Sequence, residues 1–443
     1  MSERSIFTEA QAERQLRSLE LFGMRFGLDR MRRMMTVLGS PEARFETIHV
    51  LGTNGKSSTT RMTAAILEAH GLRTGAYVSP HLVHYRERLL IDGAELDEAA
   101  FAAAIDRAAW AAARVNRTLA EDDHVTQFEL LTAAALWEMA RRELDVAVIE
   151  AGLGGRYDAT SVIDPRVSVL TNVGLEHTRW LGPTVRDIAE EKLAAVRAGA
   201  TLVLGHDLAP EALAVAERAA AERGVRIERP GAGEQPAELL APGAFQRRNF
   251  ALARTAAAAY LRSAGLELRE EALARAAART RVAGRLQLLE DPPPTVLDGA
   301  HNPHAVRALV ESLAEVLDDC PPAPLALVLG VLDDKDAASM LATLLPVVER
   351  AWFTAPPSAR ALSPAALESL ARQLGFREST CEPRPARALA RARAWAAEQG
   401  GAVLATGSVY LVGDLLGRLA SAGARANAAE RQGGARAERS AGG

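Results

Sequence analysis

The sequence predicts an α/β protein of two successive domains, each a mostly parallel sheet covered by helices. Three observations predict it. Apolar runs of strand length alternate with helical stretches along most of the 443 residues, which is the pattern of a parallel sheet. A glycine-rich loop at 52–58 stands between one such run and a helix. Three prolines at 292–294 halt the alternation, because neither a helix nor a central strand tolerates them. The alternation resumes at once beyond them, and the length suits two domains better than one.

Taken in order, the first forty residues read as two amphipathic helices ending near Gly39-Ser40-Pro41. Thr47 to Leu51 form a β-type run, and a helix follows from Lys56 to about His70, with Met62, Ile66 and Leu67 on one face and Gly71 as its stop. Further strands are expected at Gly75 to Val78, Val146 to Ala151, Val167 to Thr171 and Thr201 to Leu204. Helices are expected at 97–115, 126–142, 185–198, 209–223, 249–265 and 268–279, with a surface excursion between Arg229 and Ala244. Beyond the prolines come strands at Thr295 to Leu297, Leu325 to Leu329, Ala351 to Thr354 and Ala402 to Thr406. Helices starting at Pro303, Lys335 and Ser363 and a last helix separate or follow them. These readings set a first domain at 1–288, a second at 295–420 and a tail at 421–443 that lacks apolar periodicity and is expected to be disordered.

Composition narrows the function. Net charge is −4, from 52 basic and 56 acidic residues, so no strong field draws nucleic acid or a membrane surface. The basic clusters Arg30 to Arg33 and Arg247-Arg248 read as solvated helix faces. Two cysteines, Cys320 and Cys381, make no paired motif, which speaks against a disulfide framework or a zinc site. The polar N-terminus carries no signal-peptide pattern, and no apolar run spans a membrane. A cytoplasmic protein is expected.

The segment Gly52-Thr53-Asn54-Gly55-Lys56-Ser57-Ser58 carries the first chemistry. Glycines let backbone N–H groups approach phosphate oxygens, and the helix N-terminus adds a partial positive charge. Lys56 suits the β- and γ-phosphates, and Ser57 or Ser58 suits phosphate or Mg²⁺. The first domain is therefore expected to be P-loop ATPase-like and the second Rossmann-like. The loop is shorter than the usual phosphate-loop pattern, which would place a glycine at Val50.

This shortened loop resembles that of the Mur-ligase superfamily. Within it, the chain from about residue 19 to 416 is similar to folylpolyglutamate synthase/dihydrofolate synthase. The resemblance rests on Phe26 to Met31, Leu38 to Pro41, Ser79 to Leu82 with Arg86-Glu87-Arg88, Thr126 to Glu129, and Glu150 to Thr160. It rests also on Thr171 to His177, Ala189 to Leu193, Asp298 to Pro303 and Thr406 to Gly413. The chain departs from the family at Ser57, where glycine is usual, at Glu176, where aspartate is usual, and at Phe245, where histidine is usual.

The resemblance implies an ATP-dependent ligase that joins L-glutamate to dihydropteroate, to reduced folylpolyglutamates or to both, giving ADP and phosphate. A carboxylate is a poor electrophile, and conversion to an acyl phosphate lets an amine attack it. Fixed cations and metal ions must then surround the transferring phosphoryl group. Ser79, Glu150 and His177 match the family's metal ligands, each at or beyond a predicted strand end, where ligands of α/β sheets bind. Oxygen donors suit Mg²⁺, of which two ions are implied, although histidine is a less usual ligand for so hard an ion. Lys192 matches a lysine that the family carbamylates. Asn249, Arg285 and Asp298 match nucleotide contacts, with Arg285 at the domain junction. His301 and Ser408 resemble positions that hold glutamate, and Thr126 with Tyr157-Asp158-Ala159 resemble pterin contacts. Lys56, Lys192 and His301 are the implied catalytic group, and a monomer is the implied state.

Two other readings compete. A peptidoglycan Mur-type amino-acid ligase normally carries an additional nucleotide-sugar domain, and only about 45 residues precede the strand that leads into the loop. A phosphate-loop switch protein without ligase chemistry would not need Ser79, Glu150, His177 and Asp298 to Pro303 together.

Overall fold

The computed structural model describes residues 7–19, 25–231, 238–289, 291–317 and 324–421. Cys320, the centre of the excursion at 232–237 and all but the first residue of the expected tail lie outside the described residues. The chain divides into two compact units, 1–282 and 283–443. No described helix is long and apolar enough to cross a membrane.

In the first unit the strands are β1 Glu46–Leu51, β2 Thr74–Tyr77, β3 Leu89–Ile91, β4 Ala94–Glu95, β5 Val146–Glu150, β6 Val167–Leu170, β7 Thr201–Leu204 and β8 Arg226–Glu228. The helices are α1 Glu9–Ser18, α2 Asp29–Leu38, α3 Lys56–Ala69, α4 Glu98–Asn116, α5 Gln127–Arg141, α6 Thr178–Leu181, α7 Val185–Leu193, α8 Pro210–Arg223, α9 Ala244–Ser263 and α10 Glu270–Arg279. Among the described residues these strands form one sheet in the order β4-β3-β2-β5-β1-β6-β7-β8. It is parallel from β2 to β8, and β3 and β4 add an antiparallel edge.

Side-chain alternation along each strand builds a core on both faces. Val146 and Val148 of β5 pack with Ile48, Val50, Met62, Ile66 and Phe250 beneath α3 and α9. Ala147 and Ile149 point the other way, into the core of α1, α2, α4 and α5. Farther along that face, Leu51, Leu170, Leu202 and Leu204 pack on α7 and α8. Helix α5 starts with a capping box in which Thr126 and Glu129 exchange side-chain and backbone hydrogen bonds.

Arg30 departs from the sequence reading. It is 6% exposed, and its guanidinium holds Glu129 and Asp123, each at 3.0 Å. A buried arginine is tolerated because two carboxylates compensate its charge.

In the second unit the strands are β9 Gln287–Leu289, β10 Thr295–Leu297, β11 Leu325–Leu329, β12 Arg350–Phe353, β13 Ser379–Cys381 and β14 Ala402–Thr406. The helices are α11 Pro303–Val316, α12 Ala337–Leu344, α13 Pro364–Gln373 and α14 Pro385–Gln399, and a further helix begins at Val409. The sheet order is β13-β12-β11-β14-β10-β9, parallel except where β9 runs against β10. That antiparallel pair moves the domain boundary. The sequence reading ended the first domain at 288, but Gln287–Leu289 folds back across the proline turn onto Thr295–Leu297 and belongs to the second sheet.

Candidate active site

The site in the first unit is built on the C-terminal ends of β2, β5, β1 and β6, which are adjacent in that order. β1 lies between β5 and β6, so the crossovers diverge there and leave a crevice at the strand ends.

The phosphate loop leaves β1 at Gly52, with φ 145°, and enters α3 at Gly55, with φ 80°. Both angles favour glycine. A Cβ at Gly52 would stand 1.9 Å from Thr171 Oγ1, and one at Gly55 would stand 2.6 Å from Asn249 Oδ1. Gly52→Ala is therefore expected to destabilise the unit by about 1–3 kcal/mol or more, read as a lower midpoint in denaturant unfolding. The residues just beyond β6 hold the loop open. Thr53 donates its N–H to the Asn172 carbonyl at 3.0 Å, and Asn54 donates its N–H to Asn172 Oδ1 at 2.9 Å. Thr171 Oγ1 donates to the Asn54 carbonyl at 2.7 Å. The sequence reading gave Thr171 and Asn172 no role, although a polar pair at the end of a strand neighbouring β1 was the available signal.

Lys56 begins α3 and donates from Nζ to the Thr53 carbonyl at 3.1 Å, folded over its own loop. Ser58 is buried and Ser57 half-buried. On the α9 side, Asn249 Nδ2 donates to Gln246 Oε1 at 3.0 Å, which fixes Asn249 against Gly55.

Ser79 and Glu150 are brought together. Glu150, 1% exposed, accepts the Ser79 N–H on Oε2 at 2.9 Å. His177 takes the left-handed position that precedes α6, with φ 53°. Its Nε2 lies 4.0 Å from Glu176 Oε1. Among the described residues no three of His, Cys, Asp and Glu gather as a metal-ligating group. The donors on offer are a hydroxyl, a buried carboxylate and one imidazole.

Lys192, on α7, is 5% exposed and donates from Nζ to the Gly52 carbonyl at 2.8 Å. It therefore reaches the same loop as Lys56, one carbonyl earlier along the chain. Burial, and then the Lys56 charge, pull its ammonium down to about 7, against the opposing pull of Glu176, Asp158 and Glu191.

Thr126 is buried, and its hydroxyl donates to Glu129 Oε2 at 3.0 Å within the cap of α5. Asp158 is also buried. It accepts the N–H groups of Leu153 at 2.7 Å and Thr160 at 3.0 Å, and the Thr160 hydroxyl also meets buried His49 at 2.8 Å. Burial raises the Asp158 carboxyl above its ordinary range. Its oxygens bind the loop's own backbone, and Ala159 is buried beside it, so this loop presents Tyr157 to solvent. Tyr157 joins Phe26 and Trp180, with ring centroids 6.2 and 5.6 Å from that of Phe26. All three are more than two-fifths exposed.

In the second unit the ends of β10 and β14 meet. Buried Asp298 accepts the N–H groups of Leu286 at 2.8 Å and Ala300 at 2.7 Å, and burial raises its carboxyl while Arg285 opposes the shift. Arg285 lies across Gly299, whose Cβ would stand 2.3 Å from Nη1. The His301 ring meets the Gly299 carbonyl through Nδ1 at 2.9 Å. The Gly407 N–H donates to the Ala300 carbonyl at 3.0 Å, which sets buried Ser408 next to this turn. Asn302 caps α11.

Comparison with known proteins decides the family. Residues 50–234 match the Mur ligase middle domain, and residues 284–409 match the Mur ligase glutamate ligase domain. The folylpolyglutamate synthase of Lacticaseibacillus casei is 34% identical over 366 residues, covering 76% of this chain and 84% of that protein. This chain belongs to the folylpolyglutamate synthase/dihydrofolate synthase family of Mur-type ligases.

The Mycobacterium tuberculosis folylpolyglutamate synthase complexed with ADP superposes with a TM-score of 0.84 at 29% identity, over 92% of this chain and 98% of that one. The bifunctional folylpolyglutamate synthase/dihydrofolate synthase from Yersinia pestis, complexed with AMPPNP and a Mn ion, gives 0.78 at 30% identity, over 95% and 100%. As a member of this family the chain is an ATP-dependent, amide-bond-forming glutamate ligase. The glycine-rich loop at 52–58 and the 298–301 turn fall within the two matched domains.

Proposed function

We propose that this ligase joins L-glutamate to dihydropteroate and to reduced folylpolyglutamates through an acyl phosphate, releasing ADP and phosphate. One observation carries the reading. Four adjacent strand ends present the phosphate loop, the Ser79–Glu150 pair and buried Lys192 to one crevice.

The residues fit a hard divalent ion such as Mg²⁺. The buried Glu150 carboxylate and the Ser79 hydroxyl supply oxygen, and His177 supplies nitrogen. When bound, two such ions would neutralise the polyphosphate. The chain's own residues do the rest. The N–H groups at the start of α3 bind phosphate oxygens, and Lys56 swings from the Thr53 carbonyl to the β- and γ-phosphates. The substrate carboxylate attacks the γ-phosphorus and ADP leaves. The neutral glutamate amine then attacks the acyl carbon, phosphate departs with the carbon–oxygen bond electrons, and the amine proton passes to water. Asn249, Arg285 and Asp298 serve the nucleotide. His301 and Ser408 hold the incoming glutamate. The exposed Phe26–Tyr157–Trp180 rings face the flat pterin and benzoyl groups, which stack on aromatic surfaces, while buried Thr126 and Asp158 hold the backbone of their own segments.

Lys192 is the site of carbamylation in this reading. An amine titrating near 7 holds a neutral fraction in neutral solution. Its lone pair forms the nitrogen–carbon bond with CO₂, and one amine proton passes to water. The protein acts as a monomer in the cytoplasm, with no nucleic-acid or membrane partner. Glutamate-dependent ADP release with dihydropteroate and with tetrahydrofolate tests the substrate assignment. Turnover with neither, but with a muramyl peptide substrate, would reject it.

A further inference from the structure

The hydroxyl of Ser57, at the second position of α3, is engaged. The phosphate loop is tied to the β6 end by Thr171 and Asn172. Toward the β2 end, Ser57 Oγ donates to the Ser79 carbonyl at 3.3 Å. The same residue is held on its other side, where its N–H donates to buried Glu150 at 2.9 Å. Ser79 therefore has both of its backbone polar groups committed, one to the phosphate-loop helix and one to the β5 end.

The segment beyond Ser79 is ordered by its own side chains. Glu87 accepts the N–H groups of Leu82 and Val83, both at 2.7 Å, and of His84 at 2.6 Å. Arg88 Nε donates to His81 Nδ1 at 3.0 Å. These bonds fix the shape of the segment at 81–88. From α3, Arg61 Nη2 also donates to the Glu87 carbonyl at 3.3 Å, which ties the far end of that segment to the phosphate-loop helix. The Ser57 hydroxyl adds the tie at Ser79 itself.

We infer that Ser57 is a positioning residue that latches the phosphate loop to Ser79, setting the Ser79 side chain for the metal before nucleotide arrives. The inference rests on the metal reading proposed above and adds to it a role for a side chain that glycine cannot supply.

The test uses the full-length protein with Ser57→Ala, which removes the hydroxyl without loosening α3, and Ser57→Thr, which keeps it. Two measurements are made. One is Mn²⁺ binding in the presence of a non-hydrolysable ATP analogue, by electron paramagnetic resonance of the free ion. The other is amide hydrogen exchange of residues 79–84 in metal-free, nucleotide-free protein. Loss of one hydrogen bond predicts a Mn²⁺ half-saturation about 2–10-fold higher in Ser57→Ala. Faster exchange at 79–84 and unchanged metal-free affinity for the analogue are also expected. Ser57→Thr should match the parent in all three. Unchanged Mn²⁺ binding and unchanged exchange in Ser57→Ala would overturn the latch. An equal loss of metal-free nucleotide affinity would also overturn it, because the hydroxyl would then serve phosphate. Glu150→Ala separates the two levels. If that variant binds Mn²⁺ normally, the metal reading fails, and the metal-free exchange data still decide the latch.

Discussion

Replacing Lys56 by alanine is expected to lower ADP release by about 10³-fold or more while leaving the thermal midpoint essentially unchanged. The two expectations have separate causes. Lys56 Nζ donates to the Thr53 carbonyl at 3.1 Å, and its side chain is half-buried at the first position of α3. Alanine there costs the helix nothing in propensity. In the transition state the same ammonium would face the charge that develops on the transferring phosphoryl group, where a fixed cation is worth several kcal/mol. Calorimetry and an ADP-release assay on the same preparation check both halves. Near-normal turnover would refute the assignment of Gly52 to Ser58 as the phosphate loop.

Lys192→Met is expected to abolish activity to a similar degree, yet to remove a pH-dependent weakness of the fold. The ammonium titrates near 7 in the folded protein, against an ordinary value of 10.5, because burial and the neighbouring Lys56 disfavour its charge. Between those two values the unfolded chain binds a proton that the folded amine lacks. Stability contributed at this site therefore rises with pH from about 7 to about 10.5, by at most about 1.4 kcal/mol per pH unit. Below 7 the cost of charging the buried amine is fully present. The methionine variant should lose this slope, so the difference in stability between variant and parent shrinks as pH rises. Denaturant unfolding from pH 6 to 10 in CO₂-free buffer measures it, all pH values being on the order of the ordinary and shifted lysine values. Parallel pH profiles for the two proteins would show that Lys192 is an ordinary, solvated lysine.

Much of the fold could be read from the sequence, because its strands are buried on both faces and so appear as continuous apolar runs. β1, β5, β6 and β7 fall within a residue or so of the expected runs. What was missed is short or self-contained. β3, β4, β8, β9 and β13 have two or three residues each, too few for a period to emerge. The helix Pro385–Gln399 was passed over although its alanines recur at helical spacing. The helix expected at 185–198 ends at Leu193, and α9 begins at Ala244, five residues before the expected start at 249.

The candidate site was legible where a side chain lies in a motif and hidden where a role depends on partners distant in sequence. The sequence reading groups Ser79, Glu150 and His177, and of these Ser79 and Glu150 are joined by a hydrogen bond through the Ser79 N–H. Arg30 was read as a surface residue because its partners, Asp123 and Glu129, lie about a hundred residues away. The grip of Asn172 on Asn54 spans a similar distance. For Thr126 and Asp158 the structure adds local tasks that no motif announces. One hydroxyl caps a helix, and one carboxylate holds its own loop.

The central claim is that the carboxylate of dihydropteroate is activated as an acyl phosphate in the crevice above β2, β5, β1 and β6. Dihydropteroate labelled with ¹⁸O in its carboxylate tests it most directly, with the protein, ATP, Mg²⁺ and L-glutamate, followed by mass analysis of the released phosphate. The account predicts dihydrofolate formation, with one labelled oxygen transferred to phosphate in each turnover. Amide formation with unlabelled phosphate, or no reaction of dihydropteroate and of tetrahydrofolate alike, would contradict it.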